Sequence, residues 1–143
     1  MPLGELDVRD ARPEDAPEIR SLVTRALLAA GLPPPESGLD ADLVDLSYYD
    51  AEGRGLWVAE RDGVIVGCAA MDRGDPGAAV LRRLAGGGLD ALLDAAVGFA
   101  STRGHAVIET VLPPGLPGTQ DALLRAGFES PPGASSMLMR RTL

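Results

Sequence analysis

Gly55-Leu56-Trp57-Val58-Ala59-Glu60-Arg61-Asp62-Gly63-Val64-Ile65-Val66-Gly67-Cys68-Ala69-Ala70-Met71 is the stretch on which the fold turns. Two β-rich runs, Gly55 to Glu60 and Val64 to Met71, flank Arg61-Asp62-Gly63. Asp-Gly supplies the positive φ angles of a tight turn, so the stretch predicts a β-hairpin. Ahead of it, Leu6-Asp7-Val8-Arg9 alternates as a half-buried strand does. Arg12-Pro13-Glu14-Asp15 then opens a helix, because proline is tolerated in a first turn and acids there oppose the positive end of the helix dipole. Ile19, Leu22, Val23, Ala26, Leu27 and Ala30 fall on one apolar stripe of that helix. Gly31 ends it, and Pro33-Pro34-Pro35 forbids continuation.

A weaker helix is expected from Leu39 to about Tyr49, where Leu39, Leu43 and Leu46 share a face. Beyond the hairpin, Ala78 to Leu84 predicts a strand. Gly86-Gly87-Gly88 interrupts it, and Leu89, Leu92, Leu93, Ala96, Val97 and Ala100 repeat the helical spacing. Gly104 stops that helix. His105 to Leu112 predicts a buried strand, Thr119 to Ala126 a short helix ended by Gly127, and Ser136 to Arg141 a last strand. The order β-α-α-β-β-β-α-β-α-β, with no repeat and no linker, predicts one α/β (α+β) domain over residues 1–143. Its sheet is expected to be mixed and mostly antiparallel, with helices on both faces.

Composition narrows the function. Thirteen basic residues, all arginine, face twenty-one acidic ones for a net charge of −8. Phosphate backbones repel such a surface, so nucleic acid is not an expected partner. A cationic amine is attracted, weakly at cellular salt. The first twenty residues are rich in charge, and no apolar run approaches the roughly 20 residues of a membrane span, so a soluble cytoplasmic protein is expected. One cysteine, Cys68, excludes an internal disulfide and a multi-cysteine zinc site.

Several strings, in this order and spacing, resemble the GNAT N-acetyltransferase superfamily. Val8-Arg9-Asp10-Ala11-Arg12-Pro13-Glu14-Asp15-Ala16 is similar to its opening strand and helix start, and residues 55–67 to its central hairpin. Leu81-Arg82-Arg83-Leu84 is similar to the strand before its cofactor loop, and Ala126-Gly127-Phe128-Glu129 to the end of its last helix. Arg83-Leu84-Ala85-Gly86-Gly87-Gly88 fits the family signature of Arg or Gln, two residues, Gly, one residue, and Gly or Ala. The resemblance implies an acyl-CoA-dependent N-acetyltransferase that uses acetyl-CoA as co-substrate and a small-molecule or peptide amine as acceptor, with a homodimer allowed. It places cofactor binding on Arg82, Arg83, Leu84, Ala85, Gly86, Gly87 and Gly88, since glycines let backbone N–H groups approach a pyrophosphate. A flexible turn explains the same glycines.

The chain departs from the family's pattern in three places. Residues that usually separate the fourth strand from the glycines are missing, so either strand or loop is short. The family's tyrosine proton donor is matched by Leu123, which cannot do acid catalysis. The fourth strand carries no carboxylate, which leaves Glu109 as the candidate base; a structural strand-end acid is the rival reading. Tyr48 and Tyr49 lie where relatives border the acceptor and are candidate substrate contacts. Trp57 and Cys68 read as core, and His105 as structural. The departures also fit a catalytically inactive GNAT-like binding or structural module.

Overall fold

The computed structural model describes residues 5–33, 41–74, 77–112, 116–131 and 138–143. Six strands form one sheet in chain order: β1 (Leu6–Asp10), β2 (Gly55–Arg61), β3 (Val64–Arg73), β4 (Ala78–Gly86), β5 (Val107–Val111) and β6 (Leu138–Thr142). All neighbours run antiparallel except β4 and β5, which are parallel. The parallel pair needs a crossover, and α2 (Leu89–Thr102) supplies it. The expected hairpin is β2–β3, with Arg61 opposite Val64 and positive φ at both Asp62 and Gly63.

Period-two alternation in β2 sends residues to two cores. Leu56 and Val58 join Ile19, Leu22 and Val23 of α1 (Ala16–Ala29) on one face. Trp57 and Ala59 join Leu92, Leu93, Ala96 and Ala100 of α2, with Leu123 of α3 (Pro117–Arg125), on the other. The helices therefore cover both faces, as the apolar stripes require. Trp57 packs edge-to-face on Phe99 with ring centroids 5.1 Å apart.

The expected helix from Leu39 to Tyr49 is not one. Residues 34–40 lie outside the described residues, and beyond them the chain makes two 3-10 turns, Ala41–Leu43 and Leu46–Asp50. Leu43, Leu46 and Tyr49 are buried at a spacing of three, which stacks side chains in a 3-10 turn and spreads them around an α-helix. Asp45, extended between the turns, accepts a hydrogen bond from the Ser47 N–H and so starts the second one. Smaller shifts occur elsewhere. β5 is shorter than the apolar run from His105 to Leu112, and β6 begins in the described residues at Leu138. No described helix is long and apolar enough to cross a membrane.

Candidate functional site

The site follows from how β4 leaves β5. Only Ala78, Ala79 and Val80 pair with β5, against Val107, Ile108 and Glu109. Beyond that point the strands part, and the Thr110 hydroxyl reaches across to donate to the Leu81 carbonyl at 2.9 Å. Arg83 adopts φ +56, a left-handed conformation costly for a side-chain-bearing residue, and the β3–β4 register slips between Cys68 and Ala70. The Cys68 thiol donates to the Arg83 carbonyl at 3.1 Å. Burial pushes that thiol up to about 12, so Cys68 is a packing group and not a nucleophile.

The opening is a cleft of about 380 Å³, walled by Val80 to Ala85 of β4, Thr110 to Leu112, Leu123 of α3 and Val23, Ala26 and Leu27 of α1. It shares Leu116 and Thr119 with a second cleft of about 640 Å³. This second cleft holds Gly86-Gly87-Gly88, the first turn of α2 (Leu89, Asp90, Ala91) and Arg125. A third, of about 560 Å³, borders Asp10, Asp50, Arg54, Trp57 and Arg103.

The question of a short strand or a short loop is resolved: β4 is nine residues long and runs through Gly86, so the loop is short. Only Gly87 and Gly88 separate it from α2. Close approach requires glycine at 67 and 86. A Cβ on Gly67 would overlap the Gly87 carbonyl oxygen, and one on Gly86 the Val66 carbonyl oxygen. The Gly87 N–H donates to the Val66 carbonyl at 2.7 Å, which closes the loop on β3 and spends one donor that a phosphate would use. Asp90, in the first turn of α2, pairs with Arg125 at 3.2 Å, both side chains exposed.

Four of the remaining candidates fall in two adjacent clusters whose anchors sequence reasoning did not supply: Tyr49 and Arg83 on Asp42, Tyr48 and Arg82 on Asp72. Asp42 is buried. It accepts from Arg83 at 2.7 and 3.0 Å and from the Tyr49 hydroxyl at 2.6 Å. Burial alone would raise the Asp42 carboxyl, but Arg83 and Tyr49 outweigh it and hold it below its ordinary range. Burial, and then the same contact with Asp42, raise the Tyr49 phenol. Asp72 accepts from the Tyr48 hydroxyl, from Arg54 at 2.9 Å, from Arg82 at 3.1 Å and from the Arg73 N–H at 2.8 Å. The Arg54 guanidinium lies 4.1 Å above the Tyr48 ring. Arg82 and Arg83 border the cleft between the parted strands, whereas neither tyrosine does; Tyr49 borders the third cleft. Glu109 pairs with Arg140 at 3.4 Å and is not among the cleft's lining residues. Among the described residues no three metal-ligating side chains cluster.

Asp72 gives a pH prediction. Burial would raise its carboxyl, but Tyr48 and Arg54 win and bring it from 3.8 to about 2. A depressed folded value stabilises the fold above the unfolded value and loses that stabilisation as pH falls toward 2. The shift is equivalent to about 2 kcal/mol. Urea unfolding between pH 5 and pH 2 is expected to show this loss, and Asp72→Asn to flatten that limb. An equally steep limb in the variant would remove Asp72 from the account.

Neither a protein-family model nor a curated protein matches the sequence. Solved structures do. A GNAT-family acetyltransferase from Staphylococcus aureus Mu50 superposes with a TM-score of 0.80 at 15% identity, covering 97% of this chain and 99% of that one. A phosphinothricin acetyltransferase from Sinorhizobium meliloti, in complex with acetyl-CoA, gives 0.77 at 20% identity over 96% and 88%. An aminoglycoside acetyltransferase in complex with coenzyme A and kanamycin gives 0.70 at 17% over 96% and 95%. At these identities the likeness establishes architecture, and by its architecture this chain is a GNAT-fold protein.

Proposed function

We propose that the chain is an acyl-CoA-dependent N-acyltransferase whose grip on the diphosphate is weakened. One observation carries the reading. The cleft between the parted strands and the cleft of the glycines share two lining residues, Leu116 and Thr119. The glycine cleft at the start of α2 offers backbone donors and partial positive charge to a diphosphate. The apolar walls between β4 and β5 suit a thioester arm, and Arg82, Arg83, Leu84 and Ala85 form the edge of that space. Acetyl-CoA, when bound, supplies an acyl group activated as a thioester. The protein's part is to align an amine beside it and exclude water, and alignment alone supplies much of the rate.

No phenol stands ready to protonate the departing thiolate, because Leu123 is buried at that position. The two tyrosines are tied to Asp72 and Asp42, and both are raised above their ordinary value. A thiolate leaves without help, so transfer survives this loss. Release of free thiol from acetyl-CoA in the presence of an amine is expected to rise with amine deprotonation and then plateau. No falling limb is expected near the ordinary tyrosine value of about 10. A descending limb there, without unfolding, would show that another acid acts.

A second reading is an inactive module that keeps the fold. The Gly87 N–H spent on Val66 and the Asp90 carboxylate at the mouth of the glycine cleft favour it. Absence of thiol release with every amine, together with absence of acetyl-CoA binding, would select it.

A further inference from the structure

Acyl transfer leaves the acceptor open, and the solved neighbours span both an aminoglycoside and phosphinothricin, so the fold does not choose. Charge in the cleft does. Among the described residues its charged lining residues are Arg82 and Arg83, and no described carboxylate borders it. The Arg83 charge is matched by Asp42 at 2.7 Å. Arg82 is in a different position, because Arg54 and Arg82 share the one carboxylate of Asp72. Two guanidinium groups against one carboxylate leave one positive charge in excess.

Among the described residues, neighbouring groups do not cancel it. Along the sheet, Asp72 stands opposite Val80, Val80 opposite Glu109, and Glu109 opposite Arg140. Glu109 is therefore the next acid on that row, and Arg140 already pairs with it at 3.4 Å. Asp72 takes four donors, which fills the acceptor sites of a carboxylate. The Arg82 side chain stays 32% exposed, with one N–H engaged at 3.1 Å out of the five a guanidinium offers. The net charge of −8 does not offset this, since exposed charges beyond roughly 8 Å are screened at physiological salt. The remaining walls, including Val23, Leu27, Val80 and Val111, are apolar.

We propose that the acceptor is a primary amine that also carries a carboxylate or comparable oxyanion on an apolar body, and that Arg82 binds the oxyanion. This rests on the acyl-transfer reading and names its substrate class. A planar guanidinium takes a carboxylate in two parallel hydrogen bonds, which fixes the amine's direction as well as its affinity. A polycationic amine meets the opposite situation, with the excess charge of Arg82 and, among the described residues lining the cleft, no carboxylate for a second ammonium.

The test is acetyl transfer to leucine, methionine and phenylalanine, to their methyl esters, and to spermidine and kanamycin, at a fixed excess of acetyl-CoA. The free amino acids are expected to exceed their esters in kcat/KM by about 10- to 100-fold, the range of one charge-assisted contact. Arg82→Gln should raise KM for the acids by a similar factor relative to its effect on the esters, with kcat changed less than about threefold. Arg82→Lys, which keeps the charge and loses the fork, should recover part of the preference and guards against a folding defect in the Gln variant. Preference for the esters or the polyamines, or an equal loss on acids and esters in Arg82→Gln, overturns the inference and leaves acyl transfer standing. No transfer to any amine overturns acyl transfer itself, and the inference with it.

Discussion

Calorimetric titration of the wild-type chain with acetyl-CoA is expected to give a dissociation constant near one millimolar. The reason is the loop. β4 runs through Gly86, and the two residues left before α2 fold back so that the Gly87 N–H donates to Val66. A charge-assisted hydrogen bond to a diphosphate contributes roughly 1.5–3 kcal/mol. Loss of the Gly87 donor, and of another from the missing residues, weakens binding by about 3–6 kcal/mol, or some hundred- to ten-thousand-fold. Asp90 adds repulsion at the same mouth, although its exposure and its pairing with Arg125 keep that effect small. Micromolar binding would contradict the weakened grip.

The largest effect on stability is expected from Asp42→Ala. This carboxylate and its partner Tyr49, 5% exposed, are buried, and the Arg83 side chain is 12% exposed. Removing it takes from Arg83 the carboxylate held at 2.7 Å and leaves the Tyr49 phenol without its acceptor. Breaking one side of a buried pair costs about 3–5 kcal/mol. The comparison is Arg125→Ala, which removes the exposed pair with Asp90 and should cost less than about 1 kcal/mol. Urea unfolding of the two variants beside wild type checks both values. A loss below about 1 kcal/mol in Asp42→Ala would mean that the network around Arg83 is incidental to the fold.

That network also shows where reading the sequence stops. The hairpin was legible because Asp62-Gly63 is a local instruction, and two helices were legible because apolar spacing is local too. The mixed, mostly antiparallel sheet with helices on both faces follows from those elements. The segment from Leu39 to Tyr49 misled, because spacings of three and four are hard to separate in a short run whose burial is decided by the sheet beneath. Tyr48, Tyr49, Arg82 and Arg83 were legible as notable residues, but their partners were not. Asp42 is 41 residues from Arg83, and Asp72 is 24 from Tyr48. Nothing local marks such an acid, although Asp72 at the end of an apolar strand, with two adjacent arginines to follow, offered a hint. The short loop was half legible: the missing residues could be counted, but only the strand pairing showed that β4 kept its length.

The measurement that tests the account most directly is an amide nitrogen–proton NMR titration with acetyl-CoA up to several millimolar, which detects weak binding and locates it. The expected shifts are concentrated at Leu81 to Ala91, at Thr110 to Leu112 and at Leu116 to Thr119, the segments that wall the two adjacent clefts. Shifts gathered instead around Asp45 to Asp50 and Arg103 at the third cleft, or none at all at the highest concentration, would contradict it.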